Sequence, residues 1–533
     1  MSFLSKKFLM IFSATALITT QLLADVTPCT LFQNNMVLQR DIPVPVWGTA
    51  SPGEEVTVSF AGQTLNTKAD SKGDWTVTLK PLSVQREGTE LVIKGKNLIK
   101  LQNVVVGDVW LCSGQSNMEM NFNWGVMNGT KFVSESEQYP LIRDIKFAHT
   151  TGIYPLKNPK VGPWNISNQK NTMHFSAAAY FFAKRIFEET NVPIGILDNN
   201  WSGCRIEIYI PPCGYEIQYT PQNQDEKNTM NLFKSEVAKF KSYDLNIPES
   251  KEAILKELDV YRKYIEQAEI SIKNGVLPPP LQKTKIDKTP NFAYYAMIAP
   301  ITRFPIKGAL WYQGCSNGGE GDSYYLKMRA LINGWRTLWK QDFPVYYVQL
   351  AAYTKATDDP AGGNGYARIR EAQRRALDIP KTGMACTIDI GMEHDIHPKN
   401  KIDVGNRLAL WALRDLYGKN VVVSGPLFKS MKIEGSNVRL SFDYAEGLMT
   451  AKKNGYMAPE KTPGESPRHF AVAGADKVWY WADARIEGSN IVLSCDKVPA
   501  PVAVRYAYRA YPKDVNVYNA AGLPMVPFRT DNW

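Results

Sequence analysis

At 533 residues, with 44% hydrophobic, 21% charged and 11% aromatic residues, the chain exceeds a single module, and roughly three domains of 100 to 200 residues are expected. That balance excludes a disordered or collagen-like polymer. The formal net charge is +10, but the basic residues are scattered, which argues against a nucleic-acid partner and for an ordinary solvated surface.

Residues 1–24 read as a secretory signal peptide. Lys6 and Lys7 precede an apolar run from Phe8 to Ile18, and Ala24 offers a small residue at the cut. Thr19, Thr20 and Gln21 interrupt the run well short of the roughly 18 apolar residues of a membrane span. The expectation is a secreted or periplasmic protein with no stable membrane insertion. Seven irregularly spaced cysteines describe no disulfide framework, and Cys204 and Cys213 are open either to pairing or to remaining free thiols. With five histidines and no zinc spacing, a catalytic metal is not expected.

Residues 25–103 alternate β-branched runs with turns: Val44 to Gly48, Glu55 to Phe60, Asp74 to Leu79 and Glu90 to Lys94. Pro52-Gly53 and Lys72-Gly73 supply the hairpin chemistry, so a small N-terminal β-sandwich is expected. From about 104 to 423 the rhythm changes. Apolar strands (Val104 to Cys112, Val192 to Leu197, Lys307 to Gln313, Pro344 to Leu350, Met384 to Ile390) alternate with helical patterns (Ala177 to Glu189, Tyr324 to Trp339, Tyr366 to Leu377, Val404 to Tyr417). That is the signature of βαβ units and a parallel α/β sheet, in which the ligand crevice lies at the carboxyl ends of the strands. Residues 211–290 interrupt the pattern as a proline-bounded helical insertion, charged between Glu249 and Lys273. Residues 424–533 return to period-two runs such as Val438 to Phe442 and Ala503 to Ala507, a C-terminal β module.

Three segments that follow strands carry chemistry. Ser113-Gly114-Gln115-Ser116-Asn117-Met118 is a tight strand-to-helix turn that presents the Ser116 hydroxyl, with backbone N–H groups free to face an anion. A serine needs an imidazole to take its proton and an acid to orient the imidazole, and Asp395 and His397 meet that need. His394 is an adjacent decoy. Between them, Asn199-Asn200-Trp201-Ser202-Gly203 and Trp311-Tyr312-Gln313-Gly314-Cys315-Ser316-Asn317 each follow a strand. A glycine amide and a side-chain amide there are candidates for an oxyanion hole.

The run Gly107 to Met120, the run Lys307 to Asn317 and Asp395-Ile396-His397-Pro398 together resemble the sialate O-acetylesterase family of SGNH-type serine hydrolases. The likeness extends to Met36-Val37-Leu38-Gln39-Arg40 and Pro527-Phe528-Arg529-Thr530-Asp531. It implies a flavodoxin-like α/β/α core carrying β modules, and cofactor-free removal of acetyl groups from sugar hydroxyls. Ser116 matches the nucleophile, His397 the base and Asp395 the orienting acid, with Asp389 in reserve. The oxyanion hole falls to Ser116, Gly203 and a third-block amide, Gln313 or Asn317, with Gln313 favoured. Two departures stand out. Cys315 occupies the place of the usual third-block glutamate, and Asp395 and His397 are separated by one residue where the superfamily often has two. The expected partner is O-acetylated sialic acid or another O-acetylated glycan. An acetyl-xylan or acetyl-xyloglucan esterase shares the chemistry, and a non-catalytic glycan-binding protein on a hydrolase fold is the remaining alternative.

Overall fold

Apolar runs in the middle of the chain form a seven-strand sheet made of β1 (Leu98–Gly114), β2 (Ile142–Phe147), β3 (Val161–Ile166), β4 (Ile194–Asn200), β5 (Gly308–Tyr312), β6 (Val345–Val348) and β7 (Thr382–Ala385). The computed structural model describes residues 25–152, 154–238, 248–278 and 290–533; the signal peptide expected in 1–24 lies outside them. The spatial order is β3-β2-β4-β1-β5-β6-β7. All neighbours are parallel except the edge pair β2 and β3. Counting β1, β4, β5, β6 and β7 in chain order gives 2-1-3-4-5, a doubly wound arrangement whose switch point lies between β1 and β5. The β2–β3 hairpin extends this core at the β4 edge and was not anticipated from sequence. Every residue of β4 and β5 is buried, as a parallel sheet covered on both faces requires.

The principal helices are α1 (Ser116–Glu119), α2 (Ala177–Thr190), α3 (Gln224–Val237), α4 (Pro248–Lys273), α5 (Ser323–Trp339), α6 (Gly365–Arg375) and α7 (Lys401–Tyr417). Strand alternation sorts them. Trp110 of β1 meets Phe182 of α2 edge-on, whereas Trp311 of β5, opposite Ser113 in register, meets Trp335 of α5, so α2 and α5 cover opposite faces. Helix α2 begins where the Ser176 hydroxyl accepts from Ala179 N and ends at Asn191 in the left-handed conformation. Its alanines admit α7 closely: a Cβ on Gly405 would lie 2.5 Å from Phe181. The insertion holds α3 and α4, in accord with the charged helical stretch expected there.

The N-terminal module is built from two sheets, one of Thr27–Pro28, Val44–Thr49 and Asp74–Leu79 and one that includes Glu55–Phe60, Gln63–Lys68 and Gln85–Lys94. Strand β1 belongs to both this module and the core. Its first half pairs antiparallel with Gln85–Lys94, and its second half pairs parallel with β4 and β5. It runs unbroken through the junction expected near residue 104. Buried Asp108 braces the crossing, accepting from Arg40 at 2.9 and 3.0 Å, Gln39 at 3.1 Å and Tyr417 at 2.8 Å. In the C-terminal module Arg505 grips Asp531 through two bonds of 2.9 and 2.7 Å, which anchors the chain end. All seven cysteines are free thiols, including Cys204 and Cys213. No described helix is long and apolar enough to cross a membrane.

Candidate active site

Ser116 is the first residue of α1, immediately past the carboxyl end of β1 at the switch point. Gly114 makes the turn possible. Its φ is +145°, and a Cβ there would fall 2.2 Å from the Tyr312 carbonyl, so no other residue fits so close to β5. The side chains on either side of Ser116 each reach a different segment. Gln115 Oε1 accepts from Gly314 N at 3.0 Å and Ser316 N at 3.4 Å. Asn117 Nδ2 donates to Ile396 O at 2.9 Å. Glu119 Oε2 accepts from the backbone and hydroxyl of Ser202 at 2.7 and 2.6 Å. One short turn thereby ties together the loops after β4, β5 and β7. Sequence reasoning quoted these residues as a motif and gave them no role, because the partners lie about 80 to 280 residues away.

The structure brings Ser116 and His397 together, with His397 Nε2 2.8 Å from Ser116 Oγ. Ser116 is half-buried, so its hydroxyl is reachable. Asp395 Oδ1 accepts from the His397 backbone N–H at 2.8 Å and stands 3.5 Å from His397 Nδ1. A carboxylate that caps the N–H two residues on is an Asx turn. The one-residue spacing thus uses a single oxygen both to shape the loop and to face the imidazole, at the cost of a long contact to the ring. Asp395 Oδ2 also meets Lys399 at 3.0 Å. The reserve acid, Asp389, is buried and held by Arg407 at 2.6 and 2.8 Å, so it is committed to the loop base. Strand β7 ends at Ala385, short of the expected Ile390, and Asp389 lies in the turn beyond. His394 is 88% exposed, with Glu393 4.0 Å away.

Gly203 adopts φ +73° in the turn after β4, with open space where a Cβ would stand. Trp201 N donates to Gly114 O at 3.0 Å, and Ser316 Oγ donates to Gly203 O at 3.0 Å, which fixes this turn between β1 and the β5 loop. Among the described residues, neither Ser116 N–H nor Gly203 N–H has a protein acceptor. Gln313, the favoured amide, is fully buried, and both of its amide hydrogens are spent, on Cys204 O at 3.1 Å and Asn317 Oδ1 at 2.8 Å. Its Oε1 accepts from Tyr324 at 2.7 Å. That expectation is corrected: Gln313 has no hydrogen left for a ligand and instead orients Asn317. Asn317 Nδ2 donates to both oxygens of the Glu207 carboxylate, at 3.1 and 3.4 Å. Glu207 is held by Lys327 at 2.7 Å and Arg205 at 2.9 Å, a buried network invisible in the sequence.

The local field favours a neutral imidazole. Burial, reinforced by the nearby Lys401 ammonium, pushes the His397 pKa below its ordinary value despite Asp395. Burial works to raise Asp395, but the His397 N–H and Lys399 outweigh it and hold the carboxyl below the usual range. Trp124 stands edge-on to His397 at 5.8 Å and is 39% exposed. Trp201 stacks on His149 at 4.7 Å, and His149 meets Glu119 at 3.2 Å. A half-buried hydroxyl against a neutral imidazole, two unclaimed N–H groups and aromatic walls can support acyl transfer. Among the described residues no cluster could hold a metal ion.

Comparison with known proteins points the same way. A family model described as carbohydrate esterase, sialic acid-specific acetylesterase, matches residues 280–414. A sialate O-acetylesterase of Rattus norvegicus is 27% identical over 549 residues, covering 93% of this chain and 92% of the relative. The Homo sapiens sialate O-acetylesterase is 24% identical over 546 residues, covering 93% and 90%. A crystal structure of a carbohydrate acetylesterase from Xanthomonas citri superposes with a TM-score of 0.77 at 31% identity, over 95% of this chain and 100% of the other.

Proposed function

The chain belongs to the sialate O-acetylesterase family and is a carboxylic ester hydrolase, and on that premise we propose that it removes acetyl groups from sugar hydroxyls through a Ser116–His397 acyl-enzyme mechanism. The observation that carries the reading is the 2.8 Å contact between Ser116 Oγ and His397 Nε2. Ser116 attacks the acetyl carbonyl while His397 takes its proton. The tetrahedral oxyanion sits on the N–H groups of Ser116 and Gly203, with the Asn317 amide as the third candidate donor once it turns from Glu207. His397 then returns the proton to the departing sugar oxygen. A water attacks the acetyl-serine by the same route and releases acetate, with Asp395 steadying the imidazolium in both halves. The 2-1-3-4-5 core with its serine at the switch point fits an SGNH-type hydrolase. The basic and apolar pattern read as a leader in residues 1–24 supports action outside the cytoplasm.

For the sugar, O-acetylated sialic acid is the first reading, supported by the relatives' names. An acetylated neutral plant glycan is the second, and one observation favours it. Among the described residues, the solvent-reachable cations bordering the site are already matched, Lys399 with Asp395 and Arg205 with Glu207 and Glu320, which leaves little for a sugar carboxylate. Acetate release is measured on O-acetylated sialosides and on acetylated xylan or xyloglucan. Turnover of sialosides alone supports the first reading, and turnover of plant glycans alone replaces it with the second. A serine-directed phosphonate labels Ser116; labelling of another serine overturns the mechanism.

A further inference from the structure

Lys401 is the most unusual ionisable group near the site. It opens α7, four residues past His397, and is completely buried. Its Nζ donates to Asn117 Oδ1 at 2.5 Å and lies 5.2 Å from the centre of the Tyr312 ring. The same Asn117 donates to Ile396 O at 2.9 Å. The bonds Lys401 to Asn117 to Ile396 therefore run behind the Ser116–His397 contact and join the residue after the nucleophile to the residue before the base.

Among the described residues, no carboxylate contacts Lys401. The groups facing it are Asn117 from α1, Tyr312 from β5 and Cys315 from the loop after β5, itself coupled to Tyr366 of α6. From its own loop come Lys399, Asp395 and His397. Asp403 is turned away to Asn400 and Lys453. Burial pushes the Cys315 thiol up to about 11, so it supplies no negative charge. Burial also pushes Lys401 down to about 7, so below that pH it is an ammonium without a counter-ion.

We propose that Lys401 is a positioning residue for the esterase, holding Asn117 between nucleophile and base and setting a buried ammonium behind the Ser116–His397 contact. The proposal rests on Ser116 and His397 being the working pair. An ammonium near an imidazole disfavours imidazolium, and the base must be neutral to take the serine proton. Removing the charge therefore moves the acid limb of kcat/KM to higher pH.

The test is the pH profile of p-nitrophenyl acetate hydrolysis by the full chain, with thermal unfolding as a control. In Lys401→Met the acid limb moves up by about half a pH unit or more, and kcat falls more than KM changes because Asn117 loses its donor. Cys315→Glu sets a carboxylate beside the ammonium and moves the limb the same way with Lys401 in place, so the idea stays testable if Lys401→Met fails to fold. Cys315→Ser leaves the profile where it is. An acid limb unmoved in both Lys401→Met and Cys315→Glu overturns the proposal, as does a shift of equal size in Cys315→Ser. Ser116→Ala separates the two readings: if it is active the site is misassigned, and if it is inactive while the limb stays put, only the role of Lys401 fails.

Discussion

The Ser116 turn and the His397 loop meet across 2.8 Å, yet they are built to different standards. Around Ser116 every neighbour is claimed: Gln115, Asn117 and Glu119 each anchor a separate loop, and Gly114 has no room for a side chain. Around His397 the supports are fewer. Asp395 is 32% exposed, faces the ring at 3.5 Å and divides its charge with Lys399. Chemistry that needs one fixed atom is supplied by the crowded turn. Chemistry that needs a group to gain and lose a proton is left closer to water, where a second charge state is tolerated.

Substitutions break this contrast in a definite order. Ser116→Ala is expected to lower kcat by about 10⁴-fold or more, with His397→Ala nearly as damaging and the double variant little worse, since the two act as a unit. Additive losses, read from single-turnover rates, would separate them. Asn317→Ala is expected to cost about 10²- to 10³-fold, the usual loss for an oxyanion donor. Gln313→Ala should be milder in kcat if it only orients Asn317, and the reverse ranking would return Gln313 to the oxyanion hole. Asp395→Asn should cost less than either half of the Ser116–His397 pair, roughly 10-fold, because the loose 3.5 Å contact leaves water able to face Nδ1. A loss as large as that of His397→Ala would show the contact tightening with substrate bound. The acid limb of kcat/KM is expected below the ordinary imidazole pKa of about 6.5, because burial and Lys401 lower His397 and its neutral form persists as the pH falls. Smallest of all, His394→Ala should stay within about 2-fold of wild type; its imidazole is almost fully in solvent.

Legibility followed the range of the interactions. Glu55–Phe60 and Asp74–Leu79 form strands with the expected ends, and the helix expected from Ala177 to Glu189 ends one residue later, because alternation and capping are local signals. Ser116, His397 and Asp395 could be singled out because each stands in a short motif, Ser116 just past β1 and the other two in the loop that follows β7. The roles of Gln115, Asn117 and Glu119 could not, since a motif does not say which distant loop its side chains hold. Gln313 was favoured over Asn317 for the same reason. Both are amides in one turn, and only Tyr324, Cys204 and Glu207, brought in from elsewhere, decide which one is spent. The β2–β3 hairpin was missed because Val161–Ile166 carries Gly162, Pro163 and Asn165, which read as loop. It is tolerated as an outermost strand.

The 17 residues of β1 carry a consequence for how such a protein can change over generations. Modules joined by a linker can be traded between genes, because a recombination point between them cuts nothing that is folded. Here the junction is the middle of a strand that ends at the nucleophile turn, with Asp108 tied to Arg40 on one side and Tyr417 on the other. A crossover there would deliver half a strand to each descendant. Exchanging the β module alone is therefore expected to cost both halves their fold, whereas the loops and the helical insertion can change without cutting this strand.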